Sequence, residues 1–274
     1  MRATKSVLQR LLSTAVRASQ AAECVLLKHW RGDPNDLAAA PKFRTKVDRS
    51  PVTRADREAE NAIRQTILAA HPEHMVFGEE FGRHGDPGSS FVWVVDPIDG
   101  TKQFVRGLAC FGTLIAVVHR SQVIVAVSNA PALRETVVAT RGGGAFLNGH
   151  RLRVSRVAKI AKCLISHGGI THFERTGHLA SLTRICRDGW GEQGFSDFRS
   201  YHLVASGRVD VVLEAEARAW DLAAVSLVVE EAGGQVTDME GGPFSLATRS
   251  MVATNGLVHD QVLSYFTRTN QYVQ

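Results

Sequence analysis

The sequence predicts a mixed α/β chain of the α+β kind: an antiparallel sheet with two helices in its first half, and a smaller mixed α/β layer in its second. Three observations predict it. Two helical stripes come first, Leu8, Leu11, Leu12 and Val16 in one and Ala55, Ala59, Ala62, Ile63, Ile67 and Leu68 in the other. β-rich runs then follow one another between residues 91 and 141, separated by hairpin-sized turns. From residue 155 onward strands and helices alternate. The expected organisation is therefore an N-terminal half at 1–155 and a C-terminal half at 156–274, with no linker between them and no internal repeat.

The elements follow in order. Residues 7–30 read as one amphipathic helix, whose stripe continues through Ala22, Val25 and Leu26 until Gly32-Asp33-Pro34 break it. The first twenty residues carry Arg and Lys but no Asp or Glu, the composition of a mitochondrial transit peptide; the continuous stripe favours a first helix of the fold. After a basic patch at 42–54, Thr53 caps a second helix and Asp56 closes a capping box; the helix stops by His71-Pro72. A short strand at 75–77 leads into Gly78-Glu79-Glu80. The Gly-rich stretch 83–90 reads as loop, and 91–95 as a buried strand. Runs at 114–119 and 123–129 form a hairpin around Ser121-Gln122, followed by a strand at 135–141 and a turn at 142–149. In the second half, strands are expected at 164–167, 209–214 and 252–254. Helices are expected at 173–187, at 201–206 with Gly207 as its stop, at 221–232, and at the C-terminus.

Composition excludes several classes. Of 274 residues 44% are hydrophobic and 22% charged, which is ordinary for a globular protein. The net charge of +5 is scattered, no zinc-finger or RNP-like pattern is present, and a nucleic-acid role is not expected. A mildly basic surface instead suits steering of phosphorylated substrates. Cys24, Cys110, Cys163 and Cys186 form no CxxC pair and read as reduced thiols of a cytoplasmic protein. No apolar run is long enough to span a membrane. Gly142-Gly143-Gly144 is not followed by a helix, and Asn148-Gly149 marks a hairpin turn, so that stretch is not a nucleotide loop.

The chemistry concentrates in Asp96-Pro97-Ile98-Asp99-Gly100-Thr101. A buried strand delivers Asp96 at its end, and Pro97, lacking an N–H, should stop the ladder there. Two carboxylates within four residues repel one another unless a cation sits between them, and a hard divalent ion such as magnesium takes oxygen ligands. Backbone N–H groups around Gly100 and Thr101 face an anion at a helix start. Metal ligands beside a phosphate cradle fit metal-assisted hydrolysis of a phosphate ester. Glu79 and Asp221 are weak signals alone: Glu-Glu pairs are usually solvated, and an Asp after Trp220 serves as an N-cap.

Taken together, Glu79, residues 96–101, and Trp220-Asp221 followed by Glu231-Ala232-Gly233-Gly234 resemble the inositol monophosphatase superfamily, over about residues 51–255. The resemblance implies a layered αβαβα sandwich, generally dimeric, with two or three Mg2+ ions per site. It implies that Glu79, Asp96, Asp99 and Asp221 are metal ligands and that Ile98 offers its carbonyl. Gly100 and Thr101 would bind phosphate, while Glu79 and Thr101 orient and activate the water. Asp96 belongs to the same catalytic set. Asp56 matches a family Asp near a weaker third metal, although a capping role explains it equally. The implied reaction is in-line attack of a metal-activated water on phosphorus, with no phosphoenzyme.

The segments Thr101-Lys102-Gln103-Phe104-Val105-Arg106-Gly107, Gly78-Glu79-Glu80-Phe81-Gly82, Arg151-Leu152-Arg153-Val154-Ser155 and Ser196-Asp197-Phe198 look like those of bacterial histidinol-phosphatases of this superfamily. Histidinol phosphate carries an amine and an imidazole, so its site needs carboxylates beyond the metals; Asp197 and Glu214 are the candidates. Glu214 also matches the position that contacts inositol hydroxyls. For Asp197 a helix cap or a subunit contact is an equal reading, and Arg199 and His202 stay unassigned between substrate and neighbouring subunit. The rival readings are an inositol-1-phosphatase, a nucleotide 3′-phosphatase, or a regulatory binding protein with incidental phosphatase activity.

Overall fold

The computed structural model describes residues 4–32, 43–45, 51–195 and 197–267. The Asp33-Pro34 break, residues 42 and 46–50 of the basic patch, and Ser196 lie outside the described residues. The chain divides into two compact units, Met1–Arg141 and Gly142–Gln274.

The first unit runs α1 (Lys5–His29), β1 (Phe43–Thr45), β2 (Pro51–Thr53), α2 (Arg54–Ala70), β3 (Met75–Gly78), β4 (Gly82–Gly85), β5 (Phe91–Asp99), α3 (Thr101–Val105), β6 (Gly112–His119), β7 (Gln122–Ala130) and β8 (Glu135–Thr140). Its main sheet has the order β8-β7-β6-β5-β3-β4. All of those pairings are antiparallel except β3 with β5. The helices form where the apolar stripes lie. α1 buries Leu11, Ala15, Ala18, Ala22 and Leu26, and α2 buries Ala55, Ala59, Ile63 and Ile67. Alanines on both faces let the two backbones approach closely. The stripes close over Trp93, Val95, Ile98, Phe104, Phe111, Ile115 and Val127. Each large side chain of this kind contributes roughly 2–3 kcal/mol by leaving water. The capping box is present: Thr53 N–H and Oγ1–H donate to Asp56 Oδ2 at 2.7 and 2.6 Å.

The second unit runs β9 (Gly144–Leu147), β10 (His150–Arg151), β11 (Leu164–His167), α4 (Ile170–Arg175), α5 (Leu179–Asp188), β12 (Gly191–Glu192), α6 (Asp197–Ala205), β13 (Val211–Glu214), α7 (Ala219–Glu231), β14 (Gln235–Thr237), β15 (Met251–Thr254) and α8 (His259–Thr267). Its sheet, in the order β12-β11-β13-β15-β14, mixes parallel pairings of β11 with antiparallel pairings of β15. Cys163, Ile165, Phe173, Ile185, Leu213, Val252, Val262 and Phe266 form its core with α5 and α8. α7 is apolar on every side and buries the run from Leu222 to Val229. The architecture agrees with the expected α+β class: an antiparallel sheet with two helices, then a smaller mixed sheet.

Four local expectations are corrected. The Gly-rich stretch after Phe81 is partly strand, because β4 needs only backbone groups to pair with β3. β5 does not stop at Pro97 but continues to Asp99 through a register shift. The helix expected at 173–187 is two helices, α4 and α5, interrupted at Gly177, whose φ of 76° a regular helix does not accommodate. The turn expected at 142–149 holds a strand, β9, which pairs with β10 around Asn148-Gly149, both at positive φ. No helix among the described residues is long and apolar enough to cross a membrane.

Candidate active site

The break in β5 builds the centre of the site. In a regular strand Asp96 and Asp99, three residues apart, point to opposite faces. Pro97 has no N–H to give β6, and its carbonyl instead accepts the Thr113 hydroxyl at 2.9 Å. Asp96 Oδ1 accepts the Ile98 N–H at 2.9 Å, tightening the turn. The ladder resumes one step out of register, from Asp96 opposite Leu114 to Asp99 opposite Gly112. The bulge re-aims Asp99, so both residues present a carboxylate oxygen within 4.8 Å of the other. Asp96 is only 2% exposed.

Gly100 follows at φ 87°, ψ 38° as the cap of α3. A Cβ there would meet the Cys110 carbonyl oxygen at 2.8 Å, so both conformation and space require glycine. Thr101 then opens the helix with its hydroxyl donating to the Ile98 carbonyl at 3.0 Å, and 3.5 Å from Asp56 Oδ1.

Asp56 therefore does two things. It closes the capping box, and it stands beside Thr101. Its carboxyl is pushed up to about 6, chiefly by burial, with Glu80 and Glu79 adding to the rise against the lowering effect of the Thr53 hydrogen bonds. A buried acid flanked by two others is the environment that a divalent cation relieves. Glu79 is held through its turn: its N–H donates to the Val95 carbonyl at 3.1 Å. The next two N–H groups, of Glu80 and Phe81, donate to the Glu60 carboxylate at 2.7 and 3.2 Å.

In the second unit Asp221 sits in the first turn of α7, and its Oδ2 accepts the Arg218 N–H at 2.7 Å. The N-cap is therefore Arg218 rather than Asp221, which closes the helix start from its third position. Glu214 ends β13, with its side chain 16% exposed and its Oε1 3.5 Å from His172 Nδ1. Asp197 begins α6 at a positive φ of 37°, exposed, and close enough for its charge to act on Glu214. The structure thus brings Asp197 and Glu214 into one electrostatic neighbourhood. His202 is fully buried in α6, and burial, with Arg199 adding to it, drives it down to about 3, so it stays neutral.

Sequence reasoning missed Glu60, Thr113 and His172. Glu60 carried a signal, since it is an acid four residues after Asp56 on the apolar face of α2. Thr113 and His172 carried none, because their partners are 16 and 42 residues distant in sequence. The thiol of Cys163 is pushed up to about 12 and that of Cys186 to about 11, mainly by burial, so neither is a poised nucleophile. His71, Glu73 and His74 also cluster. However, the Trp93 indole N–H donates to His74 Nδ1 at 2.9 Å, which keeps the ring proton on Nε2, and His74 stacks between His71 and Phe91. That cluster is packing rather than a metal centre.

Comparison with known proteins agrees with this geometry. The model of the inositol monophosphatase family matches residues 7–271. A histidinol-phosphatase of Mycobacterium tuberculosis is 42% identical over 230 residues, covering 80% of this chain and 86% of that protein. One from Streptomyces coelicolor is 37% identical over 257 residues, covering 87% and 95%. The solved structure of a Thermotoga maritima IMPase superposes with a TM-score of 0.82 at 31% identity, covering 94% of this chain and 96% of that one.

Proposed function

Because the chain belongs to the inositol monophosphatase family, a family of phosphatases that are generally metal-dependent, we propose that it hydrolyses L-histidinol phosphate to L-histidinol and inorganic phosphate with Mg2+. The observation that carries the reading is the bulge in β5, which turns Asp96 and Asp99 to one side beside a glycine-capped helix start.

Carboxylates and a carbonyl are hard oxygen donors, the set that magnesium takes. Glu79, Asp96, Asp99, Asp221 and the Ile98 carbonyl would hold the ions, with Asp56 at a weaker third position. Bound magnesium supplies positive charge to the phosphoryl oxygens and lowers the pKa of the attacking water. The chain's residues do the rest. The Thr101 hydroxyl has acceptors within reach in Ile98 O and Asp56 Oδ1, so its lone pairs are left to accept from the attacking water. Glu79, fixed by the turn that Glu60 braces, takes the water's proton. The N–H groups of Gly100 and Thr101 bind the phosphate, and the P–O bond to the alcohol breaks as the new one forms, the departing oxygen taking a proton from solvent water to give the alcohol.

Supporting the substrate are the histidinol-phosphatase relatives and the two neighbouring carboxylates, Asp197 and Glu214, which suit a cationic alcohol. A second reading, an inositol phosphate, is supported by the Thermotoga maritima structure and by Glu214 matching an inositol contact. The reading includes a homodimer acting in the cytoplasm in histidine biosynthesis, with no nucleic-acid or membrane partner. Side-by-side assays decide the substrate: kcat/KM is expected to be higher on histidinol phosphate than on inositol 1-phosphate, and the reverse order refutes it.

A further inference from the structure

Glu214 has an unusual seat. β13 lies beside β11, and where β11 ends, the Gly168 N–H donates to the Leu213 carbonyl at 2.9 Å. The chain thus passes directly against the Glu214 side chain. A Cβ on Gly168 would overlap both carboxylate oxygens. Gly169 caps α4, whose first turn brings His172 over the same carboxylate. His172 Nδ1 and Glu214 Oε1 are shut off from solvent, and neither has a hydrogen bond. They stand 3.5 Å apart, within ion-pair range but without hydrogen-bond alignment.

A buried carboxylate oxygen without a donor is costly, and native structures leave few of them. Here the cost has a use, because the oxygen is held oriented under His172, whose side chain is one-third exposed and stands 3.5 Å from it. Resting on the histidinol phosphate reading, we propose that His172 is a positioning residue for Glu214, and that the pair admits the substrate's cationic nitrogen by exchange: its N–H takes the Glu214 oxygen while His172 releases its proton to solvent.

The charges around the pair fix the sign. Glu214 faces His172 from α4 and Asp197 from α6, and His172 faces Glu214, Glu216 and Arg175. Arg175 is engaged with Glu216 at 2.7 Å. The Glu214 contact holds His172 above the usual histidine range, and burial holds Glu214 above the usual carboxylate range. Below the pKa of His172 its charge competes with an incoming cation. Above it the ring is neutral and Glu214 is free to pair. Cation binding therefore strengthens as pH rises through the His172 titration.

The test uses the full-length protein with magnesium. KM for L-histidinol phosphate is measured from pH 6 to 8.5 in wild type and His172→Gln. Comparing one substrate on two enzymes cancels the substrate's own titration. The wild-type to variant KM ratio is expected to fall about tenfold across that range, while the kcat ratio stays within about twofold. On inositol 1-phosphate, which has no cation, the KM ratio stays flat. A pH-independent ratio on both substrates overturns the proposal. Gly168→Ala displaces the carboxylate by its flexible end and is expected to flatten the pH dependence as His172→Gln does; a wild-type profile in that variant contradicts it. Independently of any substrate, the imidazole 15N titration of His172, assigned by its loss in His172→Gln, is expected to fall by about one pKa unit in Glu214→Gln. An unmoved titration breaks the dyad alone. A wild-type preference for inositol 1-phosphate breaks the substrate reading alone.

Discussion

Each unit contains a glutamate whose carboxylate lies against a glycine, and the two are finished differently. In the first, Glu60 is fully buried over Gly78; its two oxygens take the N–H groups of Glu80 and Phe81, and Arg64 approaches to 3.5 Å. In the second, Glu214 lies over Gly168 with Oε1 unsatisfied and a histidine at 3.5 Å. Burial raises both carboxyls. The difference lies in who supplies the donors. The backbone supplies them to Glu60, which makes it a brace for the Glu79 turn. Among the described residues no donor completes Glu214 Oε1, although the Glu216 backbone reaches the same carboxylate, which suits a group that waits for a ligand. A buried acid is thus structural or functional according to its unmet hydrogen bonds rather than its burial.

Substitutions can break that contrast. Glu60→Ala, which orphans two backbone N–H groups and leaves a cavity, is expected to cost about 3 kcal/mol in urea unfolding and to lower kcat by loosening Glu79. A neutral stability would show that Glu60 braces nothing. Gly78→Ala forces a methyl against a carboxylate that is pinned at both oxygens, for an expected loss of about 2 kcal/mol. Glu214→Gln is expected to change stability by less than about 1 kcal/mol, since the amide oxygen can still accept the Glu216 backbone N–H and Oε1 has no donor to lose, but to raise KM for histidinol phosphate about tenfold. Gly168→Ala is the mildest: the Glu214 carboxylate can swing aside, so a thermal melt should shift by no more than about 2 °C. If Gly168→Ala proves as damaging as Gly78→Ala, the two sites do not differ as described.

Much of this was readable from the chain, for a physical reason. The two helices, the Thr53–Asp56 box, the hairpin and the Asp96-to-Thr101 motif are all specified within a few residues, where spacing and turn chemistry carry the signal. What the sequence hid depends on distant partners. Pro97 reads as the end of a ladder, yet Thr113 from β6 replaces the lost hydrogen bond and lets β5 run on to Asp99. The Gly177 break in the helix expected at 173–187 places His172 on α4, and only the β11–β13 pairing reveals that α4 meets Glu214. The sequence leaves Asp56 open to both a cap and a weak metal position; in the structure it closes the cap and lies next to Thr101.

If the carboxylates turned together by the β5 bulge hold a metal that drives phosphate-ester hydrolysis, turnover must follow that metal, which is read by phosphate release from histidinol phosphate after chelation and then during Mg2+ titration, in wild type and in Asp96→Asn. Wild type should be silent when stripped and recover with Mg2+. Asp96→Asn, folded by circular dichroism, should stay at least about a hundredfold slower at any Mg2+ concentration. Full turnover in the stripped protein, or wild-type turnover in Asp96→Asn, would contradict the account.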